Sequence, residues 1–96
     1  MRAVISQPVS GWHGEASVYN LSLGGAGVTL PEALPEGEHL AVSFLAPSLW
    51  DPLTIPARIA WVHPATPHEP TTAGLAFEPK DPLSVFALFE LVSTLT

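Results

Sequence analysis

The sequence predicts an all-β fold, an antiparallel barrel or sandwich, with a single α-helix at its C-terminal end. Period-two alternation of apolar residues recurs in segment after segment, proline and glycine punctuate the gaps between them, and a helical period appears only at the end. Short strands at such close spacing favour this arrangement over alternating β/α units.

Six strands are expected, over about 2–9, 15–21, 25–30, 39–46, 53–62 and 72–78. The third carries Ala26, Val28 and Leu30 in phase, and the fourth Leu40, Val42 and Phe44. The fifth carries Leu53, Ile55, Ala57, Ile59 and Trp61, and the sixth Ala73, Leu75 and Phe77. Most of the 11 prolines fall between these runs, where a missing ladder donor does no harm.

A helix is expected over about 82–95, because Asp81 is an N-cap candidate directly before a proline at the first helical position. Val85, Phe86, Leu88, Phe89, Val92 and Leu95 recur at helical spacing, while Ser84, Glu90, Ser93 and Thr94 fall mostly on the other side. That stripe needs a surface to cover. The barrel itself and a homodimer face both meet the need, and the pattern does not separate them.

Ninety-six residues hold one core, so residues 1–96 are expected to form a single domain. An apolar share of 47% with only 12% charged residues fits a packed module. With no cysteine, thiol chemistry and thiolate metal sites are excluded. The apolar run at the start is too short for a signal peptide and no later run reaches transmembrane length, so a cytoplasmic chain without membrane insertion is expected. Three basic residues stand against nine acidic ones, and the formal charge of −6 repels polyanions, which argues against DNA or RNA as a partner. A small phosphate ligand would have to find its cations locally.

The most informative segment is Val18 to Val28, where polar residues and glycines interrupt two strand patterns. Within it Asn20-x-Ser22-x-x-Gly25 leads into an alternating strand, and it resembles the [Asp/Asn]-x-Ser-x-x-Gly motif of PilZ domains. Val42-Ser43-Phe44, Ile55 to Val62 and Ala73 to Phe77 follow that family's later strands in order and spacing, so the resemblance covers most of the chain. It implies a six-stranded antiparallel PilZ-like β-barrel with a C-terminal α-helix.

The resemblance also implies a ligand, cyclic di-GMP, contacted through Asn20, Ser22 and Gly25. An amide and a hydroxyl suit a guanine edge, and glycine lets backbone approach the base. In the family the phosphates are held by two arginines in an Arg-x-x-x-Arg segment before the first strand. Here Arg2 is the only arginine before Asn20, and Ser6 stands where a second would follow. Two missing charge-assisted contacts correspond to roughly 3–6 kcal/mol, or about two to four decades of affinity. The same residues also have a purely local reading, in which Asn20 and Ser22 cap a turn while Gly24, Gly25 and Gly27 allow a bulge.

The function expected is that of a non-catalytic regulatory or interaction domain with weak or no cyclic di-GMP binding. The resemblance associates it with bacterial second-messenger, type IV pilus or motility signalling. A genuine cyclic di-GMP receptor using Asn20, Ser22, Gly25 and Arg2 is the alternative, and a structural oligomerisation module is the second. Partner contacts are expected at Leu49 and Trp50, which stand in a loop where polar residues are usual, and at Phe86 and Phe89 of the helix. Trp12 carries the same double reading as Trp50, partner anchor or a ring folded back on the barrel. His63, His68 and Glu69 match no metal-binding spacing, no catalytic constellation stands out, and neither a metal nor another cofactor is expected.

Overall fold

The computed structural model describes residues 1–45 and 53–95. Six strands, β1 (Arg2–Ser6), β2 (His13–Leu21), β3 (Gly25–Leu30), β4 (His39–Leu45), β5 (Leu53–His63) and β6 (Thr71–Phe77), precede one helix, α1 (Pro82–Leu95). They close a barrel in the order β1-β2-β3-β6-β5-β4, every pair antiparallel. Closure pairs β1 with both β2 and β4, so no sheet edge is left open.

Alternation explains the core. Ala3, Ile5, Val18, Val28, Val42, Phe44, Ile55, Ile59 and Leu75 all point inward and are buried, while their neighbours in sequence face out. Phe44 meets Phe77 edge to face, with ring centroids 5.8 Å apart at 85°.

The first strand ends at Ser6, short of the expected position 9. Pro8 has no N–H to give a ladder, and Gly11 at φ 76° reverses the chain, with Gly11 N–H donating to Gln7 O and Gln7 N–H to Trp12 O, both at 2.8 Å. The chain therefore re-enters the sheet at His13, earlier than expected, in register with Ser6. The fourth strand's last described residue is Leu45, and the fifth and sixth differ from expectation by single residues.

Trp61 departs from the expected inward phase. A bulge lies between Ile59 and Trp61 where β5 pairs with β6, so the alternation slips and Trp61 turns outward. A second bulge, between Val18 and Asn20, puts both Tyr19 and Asn20 on the outside of β2.

Helix α1 is capped by Asp81, whose Oδ1 accepts the Ser84 N–H at 2.8 Å. It packs chiefly on β5 and buries Leu88 and Leu91, with Val92 against the core. The stripe read from the sequence is rotated from what the barrel covers. Leu91 lies at its buried centre, whereas Phe86 and Phe89 turn away from the barrel. A small barrel offers a helix one narrow line of contact, and two positions fill it.

Candidate ligand cleft and the exposed helix face

The bulged part of β2 and the turn into β3 form one mouth of a shallow cleft on the outer barrel wall. Asn20, Ser22, Gly25, Gly27, Trp61 and Gly74 line it, around a volume of about 210 Å³. Its floor follows the strand register: Asn20 pairs with Gly27, Gly27 with Gly74, and Gly74 with Trp61. The two glycines leave room for rings to lie across them. A Cβ at Gly27 would stand 2.6 Å from the Tyr19 ring, and one at Gly74 2.1 Å from the Trp61 indole nitrogen. Trp61 also leans on His63, with centroids 4.8 Å apart at a 40° tilt. The result is an aromatic band on the outer wall beside the Asn20–Gly25 turn.

The Asn20 side-chain oxygen and the Ser22 hydroxyl are engaged by the chain's own backbone. Asn20 Oδ1 accepts the Gly27 N–H at 3.0 Å, Ser22 Oγ accepts the Gly24 N–H and donates to Gly25 O, both at 3.3 Å, and Ser22 N–H donates to Gly25 O at 2.9 Å. Gly25 is as close-packed as Gly74, and against backbone, since a Cβ there would meet Leu75 O at 2.1 Å. Phe77 N–H donates to Gly24 O at 2.9 Å and ties the turn to the end of β6. These bonds are those of a turn-capping role.

Asn20, Ser22 and Gly25 thus come together, and Arg2 does not join them. Arg2 starts β1 and lines a separate groove with Glu15, Ser17 and Thr29. Its guanidinium is ion-paired with Glu15, and that hydrogen bond, then the charge attraction, raise its pKa above the ordinary value. Arg58 faces outward on β5, opposite Ala76, and its Nε is 4.0 Å from Glu78, on the side away from Gly74. Glu78 holds His39 Nδ1 as well, at 3.0 Å. Among the described residues no basic side chain lines the cleft. Sequence reasoning missed Trp61 as a cleft residue and Tyr19 as its neighbour in the aromatic band; Gly74 and Gly27 on the adjacent strands were the available signal.

Of the expected contact points, Leu49 and Trp50 lie outside the described residues. Phe86 and Phe89 are exposed at 61% and 54%, with Leu83 at 81% and Val85 at 46% beside them. Trp12 instead folds back, half-buried against the core, with its indole N–H donated to Glu32. Among the described residues no three histidine or acidic side chains come together as a metal site, and no helix is long and apolar enough to cross a membrane.

A closed six-stranded barrel with a C-terminal helix and an Asn-x-Ser-x-x-Gly turn beside a shallow outer cleft defines the class of small β-barrel domain to which the chain belongs. The chain belongs to the PilZ family, whose domain model matches residues 1–92. Among curated proteins none matches the sequence. Solved structures share the fold at low identity. The PilZ domain of CeSA from a cellulose-synthesizing bacterium is 18% identical, with a TM-score of 0.74 over 99% of this chain and 91% of that one. The PilZ domain of YcgR from Escherichia coli, solved with c-di-GMP, is 18% identical, with a TM-score of 0.73 over 98% of this chain and 80% of that one. A longer YcgR chain from Escherichia coli in complex with c-di-GMP, also 18% identical, has a TM-score of 0.72 over 98% of this chain, which spans 40% of it.

Proposed function

We propose that this chain is a non-catalytic PilZ regulatory domain that acts through protein contacts and binds cyclic di-GMP weakly or not at all. The observation that carries the reading is the absence of a cation from the cleft. Among the described residues Arg2 and Arg58 face acidic partners elsewhere, and Lys80 lies beyond β6, outside the cleft lining. A cyclic dinucleotide brings two phosphates, and charge-assisted bonds to them supply the larger part of what a shallow cleft can offer. The acidic field of the chain works in the same direction.

One observation favours the second reading, a genuine receptor. The Trp61 ring lies over Gly74, which is two strands from the Asn20 turn, a platform on which a guanine base can stack. Stacking supplies about 1–3 kcal/mol per base, less than two lost arginine contacts remove. Calorimetric titration of cyclic di-GMP into the chain tests the choice. No heat of saturable binding is expected, whereas a saturable isotherm at micromolar ligand would establish the receptor reading instead.

A further inference from the structure

We propose that the exposed face of α1 is the contact between two copies of this chain, paired as antiparallel helices. The inference rests on the reading of this domain as one that acts through protein contacts, and it names the occupant of that face. Pro82, Phe86, Phe89 and Ser93 follow one another at intervals of four, three and four residues, the spacing of a helix–helix seam. Leu83 and Val85 flank it, and Leu83, Val85, Phe86 and Phe89 each remain more than two-fifths exposed.

Area points to a protein partner of modest size. Weighted by their exposures, Leu83, Val85, Phe86 and Phe89 present on the order of 500 Å² of apolar surface, near the upper end for a soluble monomer. A specific homodimer buries roughly 800 Å² per subunit, about two thirds of it apolar, which is the same quantity.

Charge permits a second copy. The chain is strongly acidic, and self-association fails wherever like charges meet. On this helix the register avoids that. With the two-fold axis between Phe86 and Phe89, each Phe86 lies against the other copy's Phe89 and Pro82 against Ser93, while on the flanks Leu83 of one copy runs beside Glu90 of the other and Val85 beside Val92. The two Glu90 side chains share one flank but stand five residues, about 7.5 Å, apart along the paired axes with a Leu83 beside each, so neither directly faces the other, and the remaining acidic side chains belong to the barrel and its loops. A basic partner would find only Glu90 to pair with on this face.

Sedimentation equilibrium on the full chain, from about 10 to 500 µM, reads the association directly. The weight-average mass is expected to move toward twice the 10.2 kDa of one chain. Phe89→Glu, at an exposed position that the fold does not use, is expected to weaken association about 100-fold with an unchanged circular dichroism spectrum. Val9→Glu adds the same charge on a fully exposed loop residue and is expected to associate as the unaltered chain does. A monomer throughout, a Phe89→Glu chain that still dimerises, or a Val9→Glu chain that does not would each overturn the proposal. A monomer that also takes up no cyclic di-GMP would leave the regulatory reading in place and remove only this occupant.

Discussion

Replacing Gly25 with alanine separates the structural from the ligand-reading role of the Asn20–Gly25 turn. Gly25 has no unusual φ, so alanine is conformationally acceptable there and only space is at issue. The added methyl would stand 2.1 Å from Leu75 O, a backbone atom held in the β3–β6 ladder, so the strands must part by about 1 Å to reach ordinary contact. Overpacking of that kind costs about 1–3 kcal/mol, and weakening one ladder bond or the Ser22 N–H···Gly25 O bond adds about 1 kcal/mol. A loss of about 2–4 kcal/mol follows. For a chain of 96 residues that lowers the melting temperature by roughly 10–25 °C. The control is Gly24→Ala one residue earlier, where nothing lies within 4 Å of the new methyl and the effect is neutral or slightly stabilising. Urea unfolding followed by tryptophan fluorescence measures both. Equal stability of the two variants, or a Gly25→Ala loss below about 0.5 kcal/mol, would refute the reasoning.

The remaining predictions concern single contacts. Gly74→Ala pushes the Trp61 indole off the barrel wall, so its fluorescence shifts to the red with a cost of about 1–2 kcal/mol, smaller than at Gly25 because a half-exposed side chain can move. Asp81→Ala removes the acceptor for the Ser84 N–H and costs about 1 kcal/mol, read as lower helicity at 222 nm and an earlier melt. Phe44→Ala opens a cavity in the barrel centre and breaks the contact with Phe77, for about 3–5 kcal/mol in denaturant unfolding. Gly11→Ala forces a side chain into the left-handed region and costs about 1–2 kcal/mol in the same assay.

Much of the barrel was legible because alternation reports burial directly: Leu40, Val42 and Phe44 face in for the reason that made them readable. The helix start was legible through Asp81 and Pro82. What the pattern did not carry were the places where period two breaks. The bulge after Ile59 reverses the direction of Trp61, and nothing in Ile59-Ala60-Trp61 marks it locally, because the bulge is set by the pairing with β6. The helix stripe shows the same limit. Its apolar arc is wider than the barrel's contact line, so the residues left over, Phe86 and Phe89, follow from tertiary geometry. Within the candidate site the turn residues were legible, but their bonds to Gly24, Gly25 and Gly27 required the bulge at Val18–Asn20. That Arg2 stands apart from them follows from its register against Ser17 and Leu45.

The central claim is that this cleft lacks the cations a cyclic dinucleotide needs. Amide NMR of the labelled chain, titrated with cyclic di-GMP to about millimolar concentration at low salt, tests it where attraction for a phosphate is strongest. The account predicts no saturable shift of the Gly25 and Gly27 amides or of the Trp61 indole N–H. Saturable shifts confined to those three signals at micromolar ligand would contradict it.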